Sequence, residues 1–221
     1  MSRFFANRRE AGRELADALA ELDIEDPIVF ALPRGGVPVG FQVARVLKAP
    51  LDILLVRKIG APRHKEYGIG ALVDGASPQV VIDEEHAEMV GATPEYIEEE
   101  VQRQLAEVER RRAAYGSSMA NSPKGRNVIV VDDGIATGGT VKAALQALRK
   151  SGAAHIVLAV PVAPRSAINE MKELCDEVVC LTMPDPFYAV GARYDDFDQV
   201  EDSEVVELLA EAKQFTAPDK A

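Results

Sequence analysis

Short apolar runs alternate along most of the chain with longer stretches of helical periodicity. The runs are rich in valine, isoleucine and leucine and predict buried strands at 27–32, 51–56, 128–131, 154–160 and 177–181. Apolar residues recur every three or four positions and predict helices at 8–22, 39–48, 93–115, 141–148, 165–174 and 201–215. Strand, turn, helix and strand in succession form βαβ units, so these strands are expected to be parallel.

The most informative stretch runs from Val128 to Thr140. Four β-branched residues predict a strand, Asp132 and Asp133 follow at its carboxyl end, and a Gly/Thr loop then enters a helix. Such a loop points backbone N–H groups and the positive end of the helix dipole at one spot, which suits a phosphate. The two acids would repel that phosphate, so they suit sugar hydroxyls or a metal bound to a second anionic group.

These thirteen residues resemble the phosphoribosyl-pyrophosphate (PRPP) motif of type I phosphoribosyltransferases. Gly134 is a departure, because the family usually has an aliphatic residue there. The resemblance covers most of the chain and implies one α/β domain over residues 1–221. It further implies a three-layer fold with a mainly parallel five-stranded sheet, a flexible loop with a hairpin, and a small variable hood.

The resemblance also implies roles for two loops. Asp132 and Asp133 would hold the ribose hydroxyls and help to place Mg²⁺, largely through those hydroxyls or water. The 5′-phosphate would be bound by Ala136, Thr137, Gly138, Gly139 and Thr140. The turn after the first strand resembles the family's pyrophosphate loop, often built on a non-proline cis peptide, and its binding residues would be Arg34, Gly35 and Gly36.

Residues 57–82 are predicted to form a flexible loop and a hairpin, in which strands 68–73 and 79–82 pair. Arg57 and Lys58 resemble the start of the family's catalytic loop, which closes over the diphosphate and excludes water. Residues 93–116 form a predicted helical insertion whose narrow apolar stripe fits either the domain edge or a second subunit.

Residues 183–200 are the candidate hood, the family's variable cap over the acceptor. In that case Phe187 or Tyr188 would stack on a base. An equal alternative is that this segment is a Pro-rich turn that only packs under the last helix. Ala136 stands where hypoxanthine-guanine enzymes carry an Asp, so a 6-oxopurine mechanism that uses this acid is not expected.

The implied activity is that of a glycosyltransferase of nucleotide salvage, with PRPP and a nitrogenous base as substrates and Mg²⁺ as cofactor. Members of the family are often dimers, so a homodimer is expected. A PRPP-binding regulator without turnover is the alternative. A phosphohydrolase with Asp132 as nucleophile is disfavoured, because Gly134 stands where it would need a further acid.

The net charge of −11 and the pI of 4.8 argue against a nucleic-acid partner, which would need a basic face. Cys175 and Cys180 match no metal spacing and are expected to be reduced thiols. The chain shows neither a signal peptide nor an apolar run of about 20 residues, so a cytoplasmic protein without membrane contact is expected.

Overall fold

The computed structural model describes residues 4–75, 78–116 and 121–216. Its strands are β1 Ile28–Ala31, β2 Leu51–Ile53, β3 Val56–Gly60, β4 Gly68–Val73, β5 Gln79–Ile82, β6 Asn127–Val131, β7 His155–Val162 and β8 Glu177–Thr182. Its helices are α1 Arg8–Ala20, α2 Gly36–Leu47, α3 Glu84–Met89, α4 Pro94–Ala114, α5 Gly139–Lys150, α6 Arg165–Met171 and α7 Asp202–Ala212, with a short 3₁₀ turn at Gly191–Arg193.

The main sheet has the strand order β2-β1-β6-β7-β8, and every neighbouring pair in it is parallel. This confirms the predicted five-stranded parallel sheet. Strand β6 shows why three layers form: Val128 and Val130 pack with α5 on one face, whereas Ile129 and Val131 pack with α1 and α2 on the other. A strand buried on both faces needs apolar residues at every position, which is the pattern of residues 128–131.

A second, antiparallel sheet has the order β3-β4-β5. The predicted hairpin is present, with Leu72 opposite Val80. The prediction of one strand over 51–56 was wrong, because β2 ends at Ile53 and Val56 begins β3 in the other sheet. Residues 57–60 are therefore strand rather than loop; part of the predicted turn at 74–78 lies outside the described residues.

Helix α4 begins at a Thr93 cap, whose side chain accepts the Tyr96 N–H, and packs on the small sheet. The Tyr96 hydroxyl donates to the Gly60 carbonyl at 2.7 Å. Farther along, Val108 is buried in a cluster that also holds residues of α7. The narrow apolar stripe thus packs within this chain, at the edge of the domain.

A buried charge cluster fixes the far end of α4. Arg112 Nε donates to Asp74 Oδ2 at 2.8 Å, and Arg112 Nη1 lies 3.6 Å from Asp52 Oδ1. Burial raises the pKa of Asp74 to about 6, although the adjacent Arg112 opposes the rise.

Among the helices of the described residues, none combines the length and apolar character needed to cross a membrane.

Candidate active site

The loops after β1 and β6 are neighbours because these two strands pair, with Ala31 opposite Val131. The Leu32 N–H donates to the Val131 carbonyl at 2.9 Å and extends this pairing past the ends of both strands. The loop at 33–36 and the loop at 132–140 therefore meet at the carboxyl edge of the sheet, where open α/β folds bind ligands.

The two glycines of the first loop allow the acids of the second to approach closely. A Cβ atom on Gly35 would lie 2.0 Å from Asp133 Oδ2, and one on Gly36 would lie 2.7 Å from the Val131 carbonyl oxygen. A side chain at either position would displace the acids, so the Arg-Gly-Gly sequence is a packing requirement. The Pro33–Arg34 peptide is cis, as the resemblance implied.

The second loop forms a small pocket at the start of α5. Gly138 has φ of +82°, a left-handed conformation that favours glycine. The pocket measures 170 Å³, and its lining consists of Asp132 and residues 134–141. Ala136, Thr137, Gly139 and Thr140 are exposed there, at the helix end where the N–H groups lack intrahelical acceptors. All five predicted phosphate-binding residues thus line one pocket.

Asp132 and Asp133 are half-buried side by side. Burial and then the charge of Asp133 raise the pKa of Asp132 well above its usual range. Burial also raises the pKa of Asp133, but Arg8 opposes the rise, because Arg8 Nε donates to Asp133 Oδ2 at 2.7 Å. The Tyr194 hydroxyl donates to the Asp133 carbonyl at 2.6 Å.

The donor set around these acids limits how a metal would be held. Within residues 4–75, 78–116 and 121–216 there is no group of three His, Cys, Asp or Glu side chains placed to bind an ion. Two carboxylates, one already paired with Arg8, fit a Mg²⁺ ion that takes most of its ligands from substrate oxygens and water.

Arg34 is one-third exposed, and its Nη1 lies 3.6 Å from Asp202 Oδ1 at the start of α7. Asp202 also accepts a hydrogen bond from the Tyr115 hydroxyl at 2.9 Å. The candidate diphosphate ligand therefore has an acidic neighbour, held by residues from the ends of α4 and α7.

Arg57 and Lys58 lie in β3, where each has a polar partner. Arg57 Nε donates to Gln104 Oε1 at 3.0 Å, and Lys58 Nζ donates to the Glu66 carbonyl at 2.8 Å and contacts the Glu66 carboxylate at 3.0 Å. Both line an 840 Å³ cleft between the small sheet and α5, whose other wall includes Thr137, Gly139 and Thr140. The structure thus places these two cations beside the predicted phosphate-binding loop.

The candidate hood, residues 183–200, packs against the turn at Gly134. A Cβ atom on Gly134 would lie 2.4 Å from Val190 Cγ1, so the departure at Gly134 makes room for a hood side chain. Phe187 packs against the cluster that contains Phe5 and Tyr194, whereas Tyr188 is 81% exposed. Of the two candidate base-stacking residues, Tyr188 therefore has the free ring face.

The sequence prediction missed three residues from distant parts of the chain. Arg8 contacts Asp133 and Asp202 contacts Arg34, whereas Tyr115 acts one step further out, through its hydrogen bond to Asp202. One signal pointed to Arg8. Helix α1 begins with Arg8 and Arg9, and cations in a first turn oppose the helix dipole, so such a residue is expected to have an acidic partner outside the helix.

The parallel sheet carries a candidate phosphate pocket, paired acids and an Arg-Gly-Gly turn at one carboxyl edge, the place where α/β proteins of this class bind ligands. Residues 5–196 match the family model described as phosphoribosyl transferase domain, and the chain belongs to that family.

The chain is similar to two curated proteins that carry the same family name and to one solved structure. Two from Mycobacterium tuberculosis strains, "Putative phosphoribosyl transferase MT0597" (CDC 1551 / Oshkosh) and "Putative phosphoribosyl transferase Rv0571c" (ATCC 25618 / H37Rv), are each 42% identical over 95% of this chain and 47% of their own length. The chain thus spans about half the length of the curated relatives it matches. The crystal structure of TT1426 from Thermus thermophilus is 42% identical, with a TM-score of 0.83 over 94% of this chain and 98% of that one.

Proposed function

We propose that the chain is a PRPP-dependent phosphoribosyltransferase that transfers ribose 5-phosphate to a nitrogenous base and releases pyrophosphate. One observation carries the proposal: the phosphate pocket, the two acids and the Arg-Gly-Gly turn meet at the carboxyl edge of β1 and β6. Their order matches a ligand with a phosphate at one end, hydroxyls in the middle and a diphosphate beyond.

In this reaction the bond between ribose C1 and the diphosphate oxygen breaks, and its electron pair leaves with pyrophosphate. A bond from C1 to a ring nitrogen forms, and that nitrogen releases its proton to water. Residues 136–140 grip the 5′-phosphate, and Asp132 and Asp133 hold the hydroxyls, so the sugar is fixed for in-line attack. Bound Mg²⁺ would neutralise charge on the leaving pyrophosphate. Arg34, with the Gly35 and Gly36 backbone, adds electrostatic stabilisation to the same group.

Arg57 and Lys58 are assigned to the leaving group as well. For Lys58 to act there, it must exchange its contacts with Glu66 for the diphosphate. Tyr188 is assigned to stacking on the acceptor base, because its ring is exposed on the hood. We assign the activity to nucleotide salvage in the cytoplasm, with a homodimer as the working form.

The test is pyrophosphate release from PRPP and Mg²⁺ with a panel of purines, pyrimidines and related heterocycles. Release is expected with a particular base and should be lost in Asp132→Asn, which removes a carboxylate at the sugar. Asp17→Asn is the matched control, since it makes the same chemical change at an exposed position of α1. If Asp132→Asn binds and turns over PRPP normally, the role given to Asp132 is wrong.

A PRPP-binding regulator is the second candidate, and the ion pairs favour it: Lys58 contacts Glu66, and Arg34 contacts Asp202, so two cations needed for turnover are engaged elsewhere. Calorimetric titration with PRPP and Mg²⁺ separates the candidates. A regulator binds PRPP but releases no pyrophosphate with any base, whereas a transferase binds PRPP and also releases pyrophosphate.

A further inference from the structure

Arg8 connects three parts of the site. Its Nε donates to Asp133 Oδ2 at 2.7 Å, and its Nη1 donates to the Asp198 carbonyl at 2.8 Å. Its guanidinium carbon also lies 3.9 Å from the centre of the Phe197 ring. The side chain is only 12% exposed, so one guanidinium is held between an acid of the PRPP motif and two hood residues.

Asp133 is confined on its other sides too. Its Oδ2 occupies the space that a Cβ atom on Gly35 would fill, and its carbonyl accepts the Tyr194 hydroxyl at 2.6 Å. The carboxylate therefore sits in a slot with Gly35 as one wall and Arg8 as another. Since Arg8 Nε binds Oδ2, the second carboxylate oxygen is the acceptor that we assign to a ligand hydroxyl.

We propose that Arg8 is a positioning residue: it holds Asp133 in the orientation that recognises a ribose hydroxyl and ties that orientation to the hood. This inference rests on the proposed function, which gives Asp133 the sugar. Without Arg8 the carboxylate can rotate within its slot, and a hydroxyl loses an oriented acceptor. Binding of the phosphate should not change, because neither Arg8 nor Asp133 belongs to the lining of the pocket that residues 136–140 form.

The test compares the binding of ribose 5-phosphate with that of its 2-deoxy and 3-deoxy analogues, by calorimetry on the full chain. A hydroxyl bound to a carboxylate is worth about 1.5–3 kcal/mol, so one deoxy analogue should bind the wild type roughly ten to a hundred times more weakly. In Arg8→Ala that ratio should fall to about threefold or less, while affinity for inorganic phosphate stays within about twofold of the wild type.

Three further variants sharpen the test. Arg9→Ala is the matched control, because Arg9 is adjacent on α1 and pairs with Glu204 at the surface; it should keep the full ratio. Arg8→Lys retains the charge but cannot bind Asp133 and the Asp198 carbonyl in the same fork, so an intermediate ratio is expected. If Arg8→Ala does not fold, Phe197→Leu replaces it in the test. This variant keeps Arg8 but removes the aromatic ring against which the guanidinium packs, so Arg8 is held less firmly and the ratio should also fall.

The outcomes distinguish failure of the positioning role of Arg8 from failure of the proposed function. Full discrimination in Arg8→Ala, or in Phe197→Leu where Arg8→Ala does not fold, overturns the positioning role alone. An equal loss of affinity for phosphate and all three sugars also overturns it, since that is what a purely structural role predicts. A wild-type protein that binds neither PRPP nor ribose 5-phosphate refutes the proposed function instead.

Discussion

Replacing Gly134 by alanine should strain the contact between the hood and the PRPP motif. The new Cβ would lie 2.4 Å from Val190 Cγ1, 2.8 Å from Val162 Cγ1 and 3.0 Å from the Val162 carbonyl oxygen. Val190 is half-buried on the hood and can shift. Val162 is fully buried in β7, and its carbonyl accepts the Ile135 N–H at 2.9 Å, so this side of the turn cannot yield without breaking that bond.

The expected cost is that of overpacking a core, about 1–3 kcal/mol of unfolding free energy. Urea denaturation should show it as a lower midpoint with an unchanged slope. Because the closest clash is with Val190, the double variant Gly134→Ala/Val190→Ala should recover part of the loss. A coupling energy of about 1 kcal/mol or more between the two substitutions is expected, since the residues are in contact.

Gly139→Ala is the matched control. A Cβ at Gly139 meets nothing within 4 Å, and the residue starts α5, so this variant should be neutral or more stable by up to about 1 kcal/mol. If Gly134→Ala is as stable as the wild type, or if the two substitutions are additive, then Val190 does not fill the space beside Gly134.

Three other perturbations follow from the charged groups. Asp202→Asn removes an anion that competes with pyrophosphate for Arg34, so inorganic pyrophosphate should bind up to about fivefold more tightly by calorimetry. Weaker binding would contradict this competition for Arg34. Burial raises the pKa of Asp74 from 3.8 to about 6, so the folded state holds a proton that the unfolded state releases, and the free energy of unfolding should fall by about 2 kcal/mol between pH 4 and 6. Urea curves across that range should show the fall, and Asp74→Asn should flatten it; an equal slope in both proteins would exclude Asp74 as its source. Arg112→Met leaves buried carboxylates without their cation and should cost about 3–5 kcal/mol at pH 7, and less at pH 5, in the same assay; a pH-independent cost would argue against charge as the cause.

Sequence patterns predicted the parts of the fold that depend on residues close together in the chain. Four β-branched residues, two acids and a Gly/Thr loop lie within thirteen positions, so strand β6 and the phosphate pocket could be inferred from neighbours alone. The break between β2 and β3 could not, because the run from Leu51 to Val56 stays apolar while the chain changes sheet. The partner of Arg8 was hidden for a related reason: Asp133 lies 125 positions away.

The pairing of β1 with β6 also bears on how the protein folds and tolerates change. Ile28 is opposite Val128, so the two loops of the site come together only when the 100-residue segment between these two positions closes into a loop, called here the excursion. Such non-local pairing slows folding, because loop-closure entropy is lost before the contacts form. Yet doubling the length of such a loop costs only about 0.6 kcal/mol. The excursion, which contains the small sheet and α4, is therefore a place where whole segments can be exchanged while the two site loops keep their register.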